Sequence, residues 1–121
     1  MEITFEGVRR IALALDGVAE STSYGTPAFK LGGKLIARLR EDSETLVVGT
    51  TFDERGELMA AEPETYFITD HYVKYPWVLI HLPRANPGAL RDLLRRACRL
   101  VSTVKMDSTG RRPKAAAKRG S

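Results

Sequence analysis

The stretch from Pro27 to Arg40 narrows the choice of folds more than any other. Ala28, Phe29 and Leu31 precede Gly32-Gly33, and Leu35, Ala37 and Leu39 follow it, a spacing closer to period two than to 3.6. Two such runs around a glycine pair predict a β-hairpin. A second short link, Glu41-Asp42-Ser43-Glu44, leads into Leu46-Val47-Val48-Gly49 as a third strand. Links this short cannot carry a crossover, so the meander must be antiparallel.

Helical spacing frames the meander. Phe5, Val8, Ile11, Ala12 and Leu15 share one helical face, Thr4 can cap the first free amides, and Asp16-Gly17 can end the helix. A loop is expected from there through Ser23. Thr51-Phe52-Asp53-Glu54 matches a capping box, predicting a short helix to about Ala61 that Pro63 terminates. Tyr66 to Thr69 and Trp77 to Leu82 read as strands separated by a loop from Asp70 to Pro76. Asn86-Pro87 opens the last helix, with Leu90, Leu93, Leu94, Ala97, Leu100, Val101 and Val104 on its apolar face. The order is helix, three strands, helix, two strands, helix. This is an α+β fold, an antiparallel sheet with hairpins flanked by N- and C-terminal helices.

The 121 residues suit one domain, and the net charge of +4 is unevenly placed. Residues 1–104 hold 13 Lys/Arg against 14 Asp/Glu, whereas 105–121 hold six basic residues and only Asp107. The domain is therefore expected to cover 1–104. A disordered basic tail should occupy 105–121, its Arg111, Arg112, Lys114, Lys118 and Arg119 free for nonspecific attraction to polyanions. One cysteine excludes an intramolecular disulfide, and no apolar run of about 18 residues could span a bilayer. The N-terminus lacks the apolar core of a signal peptide, so a cytoplasmic monomer without a membrane partner is expected.

Few residues suit catalysis. Two histidines ten positions apart and Cys98 on a helix make a metal site improbable, and neither a metal nor a cofactor is expected. Cys98 has the spacing of a core position, Glu62 and Glu64 read as solvated loop charge, and no nucleophile elbow surrounds Ser21, Ser23 or Thr26. An enzyme is disfavoured; one working through His71 or His81 as general base would need a nucleophile or carboxylate beside it.

Binding chemistry is better represented. Asp70-His71-Tyr72-Val73-Lys74-Tyr75-Pro76-Trp77 gathers three aromatic side chains, a histidine and a lysine in eight positions. Such a segment can stack on bases and neutralise a phosphate, wall a small-molecule pocket, or simply anchor its loop. Lys30, Lys34, Arg38 and Arg40 all have even numbers, so if the register holds across the turn they share one sheet face. Arg91, Arg95 and Arg99, joined by Arg96, form a stripe on the last helix that Asp92 can partly neutralise.

Three stretches resemble the MmcQ/YjbR family: Thr22-Ser-Tyr-Gly-Thr-Pro-Ala-Phe29, Gly33-Lys-Leu-Ile-Ala-Arg-Leu39 and His71-Tyr-Val-Lys-Tyr-Pro-Trp-Val-Leu79. Tyr24-Gly25 with Pro27 and Phe29, Lys34, and the Lys74/Trp77 pair match the family pattern. The resemblance covers nearly all of 1–104 and implies a small bacterial α+β domain with a double-wing, DNA-binding-like architecture. It implies no catalytic set. The expected function is non-enzymatic DNA binding, with Lys30, Lys34, Arg38, Arg40 and Lys74 on phosphates and Tyr72 or Tyr75 stacking. The alternative is a small-molecule or protein-partner site around Tyr24, His71, Tyr72 and Trp77.

Overall fold

The computed structural model describes residues 3–107. Helix α1 (Phe5–Leu13) leads into β1 (Val18–Ser23), β2 (Thr26–Leu31), β3 (Lys34–Leu39) and β4 (Thr45–Gly49). Helix α2 (Phe52–Ala61) precedes β5 (Tyr66–Phe67), a 3-10 turn at Asp70–Tyr72, β6 (Trp77–His81) and α3 (Pro87–Asp107). The six strands form one antiparallel sheet in the order β1-β2-β3-β4-β6-β5. The architecture is α+β, as expected. Helix α3 runs three residues past Val104, and Arg111, Arg112, Lys114, Lys118 and Arg119 lie outside the described residues.

The helix starts follow the capping chemistry. Gly7 N–H donates to the Thr4 hydroxyl at 3.4 Å and Ala89 N–H to the Asn86 side chain at 3.0 Å. Only half of the capping box at α2 forms. Glu54 N–H donates to the Thr51 hydroxyl at 3.1 Å, but the Glu54 carboxylate accepts from the Thr50 hydroxyl at 2.9 Å and pairs with Arg96 on α3. An ion pair to a neighbouring helix has displaced the local reciprocal bond.

The segment expected as a loop through Ser23 is instead the edge strand β1. Its residues, VAESTS, carry no alternation of bulky apolar side chains, because an edge strand with no fully buried residue needs none. A tight turn at Tyr24-Gly25, both with positive φ (55° and 80°), pairs it to β2. Gly32-Gly33 makes a second turn of the same kind, φ 59° and 81°, between β2 and β3.

Register divides the sheet into two faces. Phe29, Ala37, Val48 and Val78 form one cross-strand row, and Leu39, Leu46, Ile80 and Tyr66 form another on the same side. All eight are buried in the main core, together with Val8 and Ala12 of α1 and Leu90, Leu93, Leu94 and Ala97 of α3. The opposite face carries the row Ser21, Ala28, Arg38, Val47, Leu79, Phe67. No helix of the described residues is long and apolar enough to cross a membrane.

Candidate functional site

A β-bulge decides which basic residues meet. Phe29 pairs with Ala37 but Lys30 pairs with Leu35, so Ile36 is an extra residue in β3 and both Ile36 and Ala37 are buried in the core. The even-number parity already fails at the Gly32-Gly33 turn, which pairs Leu31 with Lys34, and the bulge then returns Arg38 to the face of Lys30. Lys30 and Arg38 stay on the open face, while Lys34 pairs with Leu31 and lines a small apolar groove against α3 with Ile36, Ala97 and Val101. The four basic residues of the hairpin do not share one face. Arg40, just beyond β3, is half-buried with its charge near Asp42.

On the open face lies a cleft of about 640 Å³. Its lining contains Tyr24, Arg38, His71, Tyr72, Tyr75 and Trp77, with Leu35 and Val47 as apolar floor and Glu41 at the side. All four residues of the alternative pocket converge here, and so do Arg38, Tyr72 and Tyr75 of the DNA-binding set. Lys74 is exposed on the neighbouring loop and does not line the cleft.

Arg38 is the chemical centre of this cleft. Its guanidinium lies over the Tyr24 ring, 5.3 Å from the centroid, and donates at 3.4 Å to the Thr26 hydroxyl and at 3.5 Å to the Tyr72 hydroxyl. Both hydrogen bonds are long, and among the described residues no carboxylate forms an ion pair with it. Most of its five donors are therefore left for a ligand.

The ring that partners Arg38 is unusual in its backbone. Tyr24 sits at φ 55°, where a bulky side chain is disfavoured and asparagine or glycine is the ordinary choice, yet its side chain is 85% exposed. Packing therefore does not account for a large ring at this turn.

The remaining wall is aromatic. His71 meets Tyr72 edge-to-face at 4.9 Å and Tyr75 at 6.1 Å, and among the described residues no carboxylate forms an ion pair with it. Trp77 is half-buried, pairs with Gly49 across β4 and β6, and divides the cleft from the groove that Lys34 lines. A Cβ added at Gly49 would meet the indole at 3.5 Å, an ordinary van der Waals contact.

Sequence reasoning missed one residue that shapes this wall, Arg55 of α2. Its side chain reaches the loop between the 3-10 turn and β6, donating to the carbonyl oxygens of Tyr72, Val73, Tyr75 and Trp77. No motif signals such a contact, because backbone carbonyls carry no residue identity. Val47 was hidden for a different reason: in the run Leu46-Val47-Val48 every residue reads as core, and only the pairing with Arg38 places it under the cleft.

The other candidates are otherwise engaged. Arg96 pairs with Glu54, Arg91, Arg95 and Arg99 are exposed on α3, and burial pushes the Cys98 thiol up, away from the reactive thiolate.

Comparison with known proteins agrees with this architecture. A model of the YjbR family matches residues 13–100. No curated protein matches the chain. The fold is similar to the crystal structure of a Deinococcus radiodurans protein described by a DUF419 domain, with a TM-score of 0.71 and 24% identity over 84% of this chain and 80% of that one.

Proposed function

The chain belongs to the YjbR family, and from that premise we propose that it is a non-enzymatic binding protein whose site is the open-face cleft around Arg38. Its ligand is a small flat molecule carrying an anionic group. Arg38 takes the anion bidentately while Tyr24, Tyr72 and Tyr75 contact the flat part. The observation that carries this reading is Arg38 itself, seated among rings in a cleft, long in its two hydrogen bonds and without an ion-pair partner among the described residues.

Charge favours a small ligand over a duplex. Besides His71, the ionic groups lining the cleft are one guanidinium and one carboxylate, Glu41, and Lys34, paired with Leu31, lies on the other side of the sheet. A duplex backbone needs several cations on one surface, since each neutralised phosphate adds its own share of the affinity.

A nucleic-acid reading persists in narrower form. The exposed rings of Tyr24 and Tyr75, with Lys30 and Lys74 nearby in the fold, suit a single strand whose base stacks in the cleft and whose phosphate meets Arg38.

One titration tests both readings. Trp77 is the only tryptophan, so its indole N–H resonance reports directly on the cleft. The expected result is a shift of that resonance by 2-naphthoate, at least tenfold weaker with neutral 2-naphthamide, and the same loss of naphthoate binding in Arg38→Ala. Naphthoate binding that ignores Arg38→Ala, or that leaves Trp77 unmoved, would sink the small-anion reading. A twelve-residue oligothymidylate that binds instead, with a salt slope of about 0.7 per phosphate contacted, would favour the strand.

A further inference from the structure

We propose that Arg55 is the positioning residue that builds the aromatic wall of the cleft, acting as a cation enclosed by loop carbonyls. It is 9% exposed and has no ion-pair partner among the described residues. One terminal nitrogen, with two N–H groups of which one is shared, faces the carbonyl oxygens of Tyr75 at 2.8 Å, Tyr72 at 2.9 Å and Trp77 at 3.2 Å, and the other donates to that of Val73 at 3.3 Å. The Phe52 ring closes the cage, 4.9 Å from the guanidinium carbon.

Four carbonyls turned inward toward one point repel each other unless a positive group lies between them. The loop from Tyr72 to Trp77 therefore takes this shape because Arg55 is there. That loop carries Tyr72, Tyr75 and Trp77 into the cleft, so a residue that lines no part of the cleft sets the position of three of its five rings. A guanidinium reaches the Val73 carbonyl from its second nitrogen while the first faces the other three, whereas a lysine ammonium offers three donors from one point.

The surroundings of Arg55 hold it in place from the other side. The preceding residue, Glu54, pairs with Arg96 of α3 and accepts from Thr50, so the first turns of α2 are tied to the core helix. The cation is presented from a fixed support rather than from a free loop.

The inference gives the proposed binding site its architecture, but its test needs no ligand. In full-length protein, Arg55→Ala should speed amide exchange by tenfold or more in residues 72–77 and shift the Trp77 emission, while the amides of β2 to β4 keep their protection. Methylguanidinium at millimolar concentration should return the Trp77 emission of Arg55→Ala toward the parent value, and equal concentrations of urea or sodium chloride should not. Should Arg55→Ala not fold, Arg55→Lys carries the same comparison, with a smaller acceleration confined to 72–77. Unchanged exchange at 72–77 in either variant overturns the proposal. So does acceleration spread evenly over the sheet, which would make Arg55 a general support of the fold. Because these readouts are taken without ligand, the cage can fail while the cleft still binds naphthoate, or stand while it does not.

Discussion

The two faces of the one sheet are built from alternate residues of the same strands, yet they obey different rules. On the covered face, Phe29, Ala37, Val48 and Val78 meet α1 and α3 as uninterrupted apolar surface. On the open face the neighbouring residues Ala28, Arg38, Val47 and Leu79 put a guanidinium between buried aliphatic side chains and cover them only with the aromatic loop. The covered face holds most of the hydrophobic stabilisation, and the open face keeps a half-buried cation and a strained tyrosine that contribute little to it. The stabilising face and the proposed site are thus separated by one residue of register, about 3.3 Å along the strand.

That separation can be broken from either side. Phe29→Ala should cost about 3–5 kcal/mol in urea unfolding, because its side chain is fully buried and the cavity cannot collapse against the sheet. An effect under about 1 kcal/mol would mean the covered face is not the stabilising one. Arg38→Ala should do the reverse: naphthoate affinity falls at least tenfold, about 1.4 kcal/mol, while the unfolding midpoint moves by less than about 1 kcal/mol. Loss of both together would erase the division between the faces.

Tyr24→Asn sharpens the comparison with opposite signs in one variant. Relief of a left-handed tyrosine is worth about 1 kcal/mol and the lost exposed cation–π contact about 0.5, so stability should hold or rise by about 0.5 kcal/mol. Probe affinity should fall severalfold. Destabilisation with unchanged affinity would make Tyr24 a packing residue after all.

The smallest effect concerns the turn between β3 and β4. Burial pushes the Asp42 carboxyl up, but the amides of Glu44 and Thr45, the Thr45 hydroxyl and the charge of Arg40 outweigh it and hold the group below its ordinary range. A carboxyl lowered on folding stabilises above its unfolded pKa, and that contribution is lost as pH falls through the folded value. Asp42→Asn should therefore cost about 0.5 kcal/mol at pH 7 and progressively less as pH falls through the folded value, as measured by thermal unfolding across the acid range.

Much of the fold was legible because its signals are local. Period-two spacing around Gly32-Gly33, the Thr4 and Asn86 caps and the apolar stripe of α3 act within a few residues of where they are written. β1 was not legible, since an edge strand of small polar residues is defined by its partner, here the Thr26–Leu31 strand. The candidate site was half legible. Tyr24, Arg38, Tyr72, Tyr75 and Trp77 were visible as residue types, but the even-number parity that joined Lys34 to Arg38 failed at Ile36.

The sequence by itself determined the α+β class, the order of every element except β1, the antiparallel pairing, the caps and the segment that supplies the rings, because periodicity, turn chemistry and capping are short-range properties of the chain. Only the tertiary structure decided which cations meet those rings. One inserted residue reverses the side of every position beyond it, and a bulge is selected by how Ile36 and Ala37 both pack into the core beneath α3. The cage around Arg55 was decided in the same way, since its acceptors are backbone carbonyls brought together from 17 to 22 residues away, and nothing in a residue's identity announces where its carbonyl will point.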